Sequence, residues 1–142
     1  MNKKNNDLPK ILIVEDSTSA QRRLISTLQA YAKCYVSGNG QEAIDFVQSI
    51  CDEQEQFDCI FMDIIMPIKD GLSAVKEIRK LERDKNIFSK QKIKIVIVST
   101  LKDPKEILLA QYECQADGYI TKPYARSSVL ETLKDLGLDI CV

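Results

Sequence analysis

Residues 60–71 read Ile60-Phe61-Met62-Asp63-Ile64-Ile65-Met66-Pro67-Ile68-Lys69-Asp70-Gly71: an apolar run, a carboxylate, then a loop carrying Pro and Gly. An unbroken apolar run closed by a charge is the pattern of a strand covered on both faces. Pro67 stiffens the loop and Gly71 permits a turn geometry that other residues resist, so the loop holds its shape without a ligand. The same grammar recurs on either side. Ile11-Leu12-Ile13-Val14 stops at Glu15-Asp16, and Ile95-Val96-Ile97-Val98 stops at Ser99-Thr100. Short strands at about 34–36 and 118–120 complete a set of five.

Helical periods fill the intervals. Ser17 to Tyr31 sets Ala20, Leu24, Leu28 and Tyr31 on one stripe, with Ser17 or Thr18 as the cap. Gln41 to Cys51 turns Ala43, Ile44 and Val47 inward, and Leu72 to Arg83 does the same with Val75, Ile78 and Leu81. Pro104 suits the first turn of a helix running to about Cys114. Ser127 or Ser128 caps a last helix carrying Val129, Leu130, Leu133 and Leu136 and ending at Gly137. Strand and helix therefore alternate five times, which implies an α/β fold, a parallel sheet with helices on both faces. The stretch from Lys80 to Lys94 is mostly charged and polar, and reads as a solvated helix end and loop.

The 142 residues suffice for one domain. Residues 1–9 lack any period and read as a flexible tail, 10–137 as the domain, and 138–142 as a short tail. The formal charge of -1, from 20 basic and 21 acidic residues, supplies no global field for nucleic acid or a membrane surface. No apolar run approaches the roughly 20 residues of a membrane span. The polar N-terminus lacks a signal-peptide core, which implies a cytoplasmic location. Five cysteines without metal-type spacing, and no histidine, point to reduced thiols and exclude His-based catalysis.

Sites in open parallel sheets form beyond the carboxyl ends of the strands, and the sequence sets Glu15, Asp16, Asp63 and Ser99 or Thr100 there. Each acid alone reads as a helix cap or turn former. Together they need a cation, because like charges raise one another's pKa. All-oxygen ligands suit Mg²⁺. With the charge so balanced, a carboxylate can attack phosphorus and become an acyl phosphate, and Asp63 is the best placed to do so.

Four segments in this order resemble the receiver domains of two-component response regulators over residues 10–136: Ile13 to Ser17, Phe61 to Gly71, Ile97 to Leu101 and Asp117 to Tyr124. The resemblance implies a flavodoxin-like doubly wound (βα)5 sandwich with strand order 2-1-3-4-5 and a cis peptide between Lys122 and Pro123. It implies that Asp63 accepts a phosphoryl group, that Asp16 ligates Mg²⁺, that Glu15 assists, and that Ile65 adds a backbone carbonyl. Lys122 would pair with the phosphoryl oxygens, Ser99 would be the switch hydroxyl, and Tyr119 the aromatic toggle. The implied donor is a sensor histidine kinase or a histidine phosphotransfer protein. Output would pass to a downstream protein target or by onward phosphotransfer, from a stand-alone monomer or weak dimer, with no direct contact to nucleic acid and no membrane insertion.

Such a protein promotes its own phosphorylation and dephosphorylation but is not a turnover enzyme. Ile65 and Leu101, two residues beyond Asp63 and Ser99, cannot orient a hydrolytic water, which predicts slow self-dephosphorylation. Two rivals share parts of the pattern. A flavodoxin-type cofactor binder is opposed by Glu15-Asp16 at the loop mouth. A phosphatase with an Asp nucleophile would carry a second acid where this chain has Ile65.

Overall fold

A computed structural model describes residues 8–52, 55–64, 70–84, 92–100, 108, 112 and 115–138. Among them the strands are β1 (Lys10–Val14), β2 (Lys33–Ser37), β3 (Cys59–Asp63), β4 (Lys94–Ser99) and β5 (Gly118–Thr121). The helices are α1 (Thr18–Leu28), α2 (Gly40–Asp52), α3 (Gly71–Asp84) and α4 (Arg126–Asp135). The helix expected over 104–114 lies outside the described residues apart from Leu108 and Tyr112, which are helical.

All five strands are parallel, in the order β2-β1-β3-β4-β5. Because side chains alternate across a strand, the continuous apolar runs supply two cores at once. Leu12, Val14, Ile60, Met62, Ile95 and Ile97 pack under α2 and α3, against Ala43, Ile44, Val47, Val75 and Ile78. Ile11, Ile13, Phe61, Val96 and Val98 pack under α1 and α4, against Leu24, Leu28, Val129 and Leu133. Each fully buried Leu or Ile side chain contributes on the order of 1.5–3 kcal/mol. At the β2 edge, Tyr35, Phe46 and Phe57 meet edge to face, with centroids 5.3–5.7 Å apart.

Local capping sets the helix starts. Ser17 Oγ accepts from the Ala20 N–H, Asn39 Oδ1 from the Glu42 N–H, and Asp70 Oδ1 from the Ser73 N–H. The Asp70 carboxyl is held below its ordinary pKa chiefly by that Ser73 N–H. Several boundaries differ from expectation. α1 stops at Leu28 rather than Tyr31, since the Lys33 N–H must already reach the Pro9 carbonyl to start β2. α4 starts at Arg126 with Ala125 in the N-cap position and no side-chain cap, so neither Ser127 nor Ser128 serves. Pro9 is buried and Leu138 packs on the second core. α4 closes as expected at Gly137, whose φ of +79° and bonds from Gly137 and Leu138 to the Lys134 and Leu133 carbonyls make a Schellman motif.

At the amino ends of β4 and β5 lies an ionic cluster that periodicity did not reveal. Arg79, 5% exposed, donates to Glu82 Oε1 at 2.7 Å, Ile93 O at 2.8 Å, Gln115 O at 2.9 Å and Asp117 Oδ2 at 2.9 Å. Glu82 Oε2 accepts from the Ile93 N–H at 2.7 Å, and Asp117 Oδ2 from the Ile95 N–H at 2.9 Å. Glu82 is therefore a buried partner and not part of a solvated charged face. The cluster ties α3 to the entrances of two strands.

Candidate phosphoacceptor site

The opposite edge of the sheet holds the acidic residues. Asp63 is the last residue of β3, Ser99 the last of β4, and Glu15 follows β1 directly. All three are buried, at 7%, 1% and 4% exposure, whereas Asp16 is exposed. Carboxylate oxygens of Glu15, Asp16 and Asp63 lie within 4.8 Å of one another. Thr100, the alternative hydroxyl, is exposed beyond the strand end.

Lys122 enters this cluster from the end of β5. Its backbone N–H donates to the Ser99 carbonyl at 2.7 Å, and the Lys122-Pro123 peptide is cis. Its Nζ donates to Glu15 Oε2 at 2.9 Å and to Asp63 Oδ2 at 3.1 Å. Burial alone would depress the ammonium, but the hydrogen bonds it donates to Glu15 and Asp63 outweigh that and raise its pKa. Glu15 is pushed up to about 7 by burial first and by the Asp63 carboxylate beside it, against the opposing pull of Lys122 and the Ser17 N–H.

Gly71 has a different role from the one its turn propensity suggested. Its φ is not among the positive ones, but a Cβ there would lie 2.2 Å from the Asp63 carbonyl oxygen and 2.9 Å from Ile64 Cα. Only a residue without a side chain lets the start of α3 sit against the backbone of Asp63, where the Gly71 N–H donates to Ile64 O at 2.9 Å. Ile65 and Leu101 lie outside the described residues. Tyr119 is half-buried and packs against the core under α2 and α3.

Among the described residues one ammonium faces three carboxylates, and an all-oxygen set of this kind fits a hard divalent cation such as Mg²⁺. A pocket of about 200 Å³, lined by Ser19, Ala20, Arg23, Lys122, Pro123 and Tyr124, opens beside the lysine. Residues 11–134 match the family model described as the response regulator receiver domain. The chain belongs to that family.

This receiver is 29% identical over 128 residues to the chemotaxis protein CheY of Halobacterium salinarum, covering 89% of this chain and 95% of that one. It is 30% identical to the probable C4-dicarboxylate response regulator DctR of Bacillus subtilis, covering 88% of this chain but half the length of that protein. Of the hybrid signal transduction histidine kinase I of Dictyostelium discoideum it spans only 6%, at 36% identity over 118 residues. Among solved structures, chemotaxis protein CheY4 of Vibrio cholerae superposes with a TM-score of 0.75 at 27% identity, covering 90% of this receiver and 98% of that chain. The expected fold, including the 2-1-3-4-5 order, is the one observed. Among the described residues, no helix is long and apolar enough to cross a membrane.

Proposed function

We propose that this receiver accepts a phosphoryl group on Asp63, with Mg²⁺ held by Asp16, Asp63 and Glu15, and signals through the resulting change of surface. The observation that carries the proposal is the Lys122 ammonium bridging Asp63 and Glu15 at 3.1 and 2.9 Å, with the Asp16 carboxylate completing the cluster. Bound Mg²⁺ would neutralise charge on the carboxylates and on the incoming phosphoryl oxygens. The remaining steps belong to the chain's own side chains.

An Asp63 carboxylate oxygen attacks phosphorus, an O–P bond forms, and the bond to the donor's nitrogen breaks with its electron pair, leaving a neutral imidazole once protonated. The donor class is a phosphohistidine on a sensor kinase or a phosphotransfer protein. Lys122 then exchanges part of its pairing with Asp63 for phosphoryl oxygens, and the Ser99 hydroxyl, buried at the next strand end, donates to them. These contacts exist in one state only, so they shift the equilibrium toward it, with Tyr119 moving as Ser99 moves. Output passes by protein contact or onward phosphotransfer rather than by turnover of a substrate. Cytoplasmic placement, no direct nucleic-acid contact and a monomer or weak dimer accompany the proposal.

The test is intact mass after incubation with acetyl phosphate and Mg²⁺, wild type beside Asp63→Asn. One added phosphoryl group, absent in the variant and absent without Mg²⁺, is the expected result. No addition, or addition in both proteins, would sink the assignment.

A further inference from the structure

Glu15 belongs neither to β1, which ends at Val14, nor to α1, which begins at Thr18. Its polar atoms are tied down one by one, by the end of β2, by the Ser17 N–H and by side chains. Its N–H donates to the Ser37 carbonyl at 3.0 Å. Its Oε1 accepts from the Ser17 N–H at 3.1 Å and its Oε2 from Lys122 at 2.9 Å. What is left is the carbonyl oxygen of the peptide joining Glu15 to Asp16, and Gln21 Nε2 donates to it at 2.6 Å.

We propose that Gln21 is a positioning residue for the cation site: it fixes the 15–16 peptide and so holds the Asp16 carboxylate beside Asp63. The inference rests on the proposed Mg²⁺ role of the site. Gln21 is itself well anchored, half-buried in the second turn of α1 with its N–H donating to the Ser17 carbonyl at 2.9 Å. Asp16, by contrast, is exposed, and its direction is inherited from the backbone that carries it. Release of the Glu15 carbonyl frees the peptide to rotate, and rotation swings Asp16 out of the cluster.

The chemistry of residue 21 is specific. Its side chain must donate, which an ionised Glu cannot do and Met cannot do at all. It must also reach: Asn carries the same amide but is one bond, about 1.5 Å, shorter. The residue thus orients a ligand in the way that outer partners orient the ligands of metal centres, where their loss costs about tenfold or more in affinity.

The experiment is calorimetric titration of the full chain with MgCl₂ at pH 8 for wild type, Gln21→Met and Gln21→Asn, with urea unfolding and ¹H–¹⁵N spectra of each. The Asn variant guards against a folding failure of the Met variant. Expected is about a tenfold rise in the Mg²⁺ dissociation constant in both, with the Asp16 and Ser17 amides shifted before metal is added and the amides of β3 and β4 in place. Lowered urea midpoints with unchanged Mg²⁺ affinity would mark Gln21 as merely structural and overturn the inference. Wild-type protein that binds no Mg²⁺ would overturn the proposed function and this inference together; equal affinity in all three would overturn the inference alone.

Discussion

Without a cation, replacing Glu15 by Gln should stabilise the receiver at alkaline pH and do nothing at acidic pH. The folded Glu15 carboxyl has its pKa raised from 4.5 to about 7, by burial first and then by Asp63. The fold therefore binds more protons than the unfolded chain between those values. The stabilising contribution is fully present below 4.5, is lost as pH rises through about 7, and beyond that the ionised group opposes folding. At 1.36 kcal/mol per unit the shift corresponds to about 3 kcal/mol at pH 8. Gln keeps the shape of the protonated acid, and the raised pKa already includes the opposing Lys122 hydrogen bond, so the net gain should be up to about 3 kcal/mol. At pH 4.5 or below it should vanish. Urea unfolding of both proteins in chelator at pH 8 and pH 4.5 measures it. A variant that is less stable at pH 8, or a difference that ignores pH, would refute the reasoning. Added Mg²⁺ should stabilise the wild type more than the variant and so reverse their order.

Gly71→Ala must push the Asp63 peptide away from a Cβ otherwise 2.2 Å from its oxygen, at a cost of about 1–3 kcal/mol; thermal unfolding should show the loss and intact mass a parallel fall in phosphoryl uptake, and a wild-type profile would refute the contact argument. Arg79→Met strips the buried partner from Glu82 and Asp117 and should cost about 3–5 kcal/mol in urea, while Arg79→Met combined with Glu82→Leu should recover part of it; a loss under 1 kcal/mol would mean the cluster is not stabilising. Lys122→Met removes the ammonium that competes for Glu15 and Asp63, so Mg²⁺ should bind several-fold more tightly at pH 8 by calorimetry while phosphoryl uptake slows; weaker binding would count against the competition.

Strand ends were readable because the signal is local and discontinuous: Val14 to Glu15, Met62 to Asp63 and Val98 to Ser99 each pass from buried apolar to polar in one step. Topology then gathers those steps at one edge. Helix boundaries were less readable where a distant partner decides them. Ser127 and Ser128 have the local chemistry of caps, yet Tyr124 packs on the core under α1 and α4 and the helix begins before the serines arrive. Arg79 and Glu82 sit on the buried stripe of α3 in a segment dominated by charge. Sequence period counts apolar residues, so ions that enter a core only because backbone groups of Ile93, Ile95 and Gln115 await them pass unread. Gly71 was legible as a glycine with a purpose, but the purpose, close approach to Asp63, depends on where two non-adjacent backbones meet.

The two ionic clusters at opposite ends of the sheet use the same residue types and reach opposite balances. Around Arg79, both Glu82 oxygens and Asp117 Oδ2 are met by the guanidinium or by backbone N–H groups within 2.9 Å. That arrangement is closed: it leaves no carboxylate in search of a cation, and it fixes α3, β4 and β5 relative to one another. Around Lys122, among the described residues, one ammonium serves two buried carboxylates while Asp16 stays exposed, and Glu15 resists ionisation. That arrangement is open. Unbalanced negative charge is unfavourable for the resting fold, and the same imbalance would supply the affinity for the proposed divalent ion. A fold that tolerates strain at one edge must be over-determined elsewhere. The parallel sheet makes the division natural, since its strand entrances can be locked by side chains from one helix while its strand exits gather the carboxylates around Lys122.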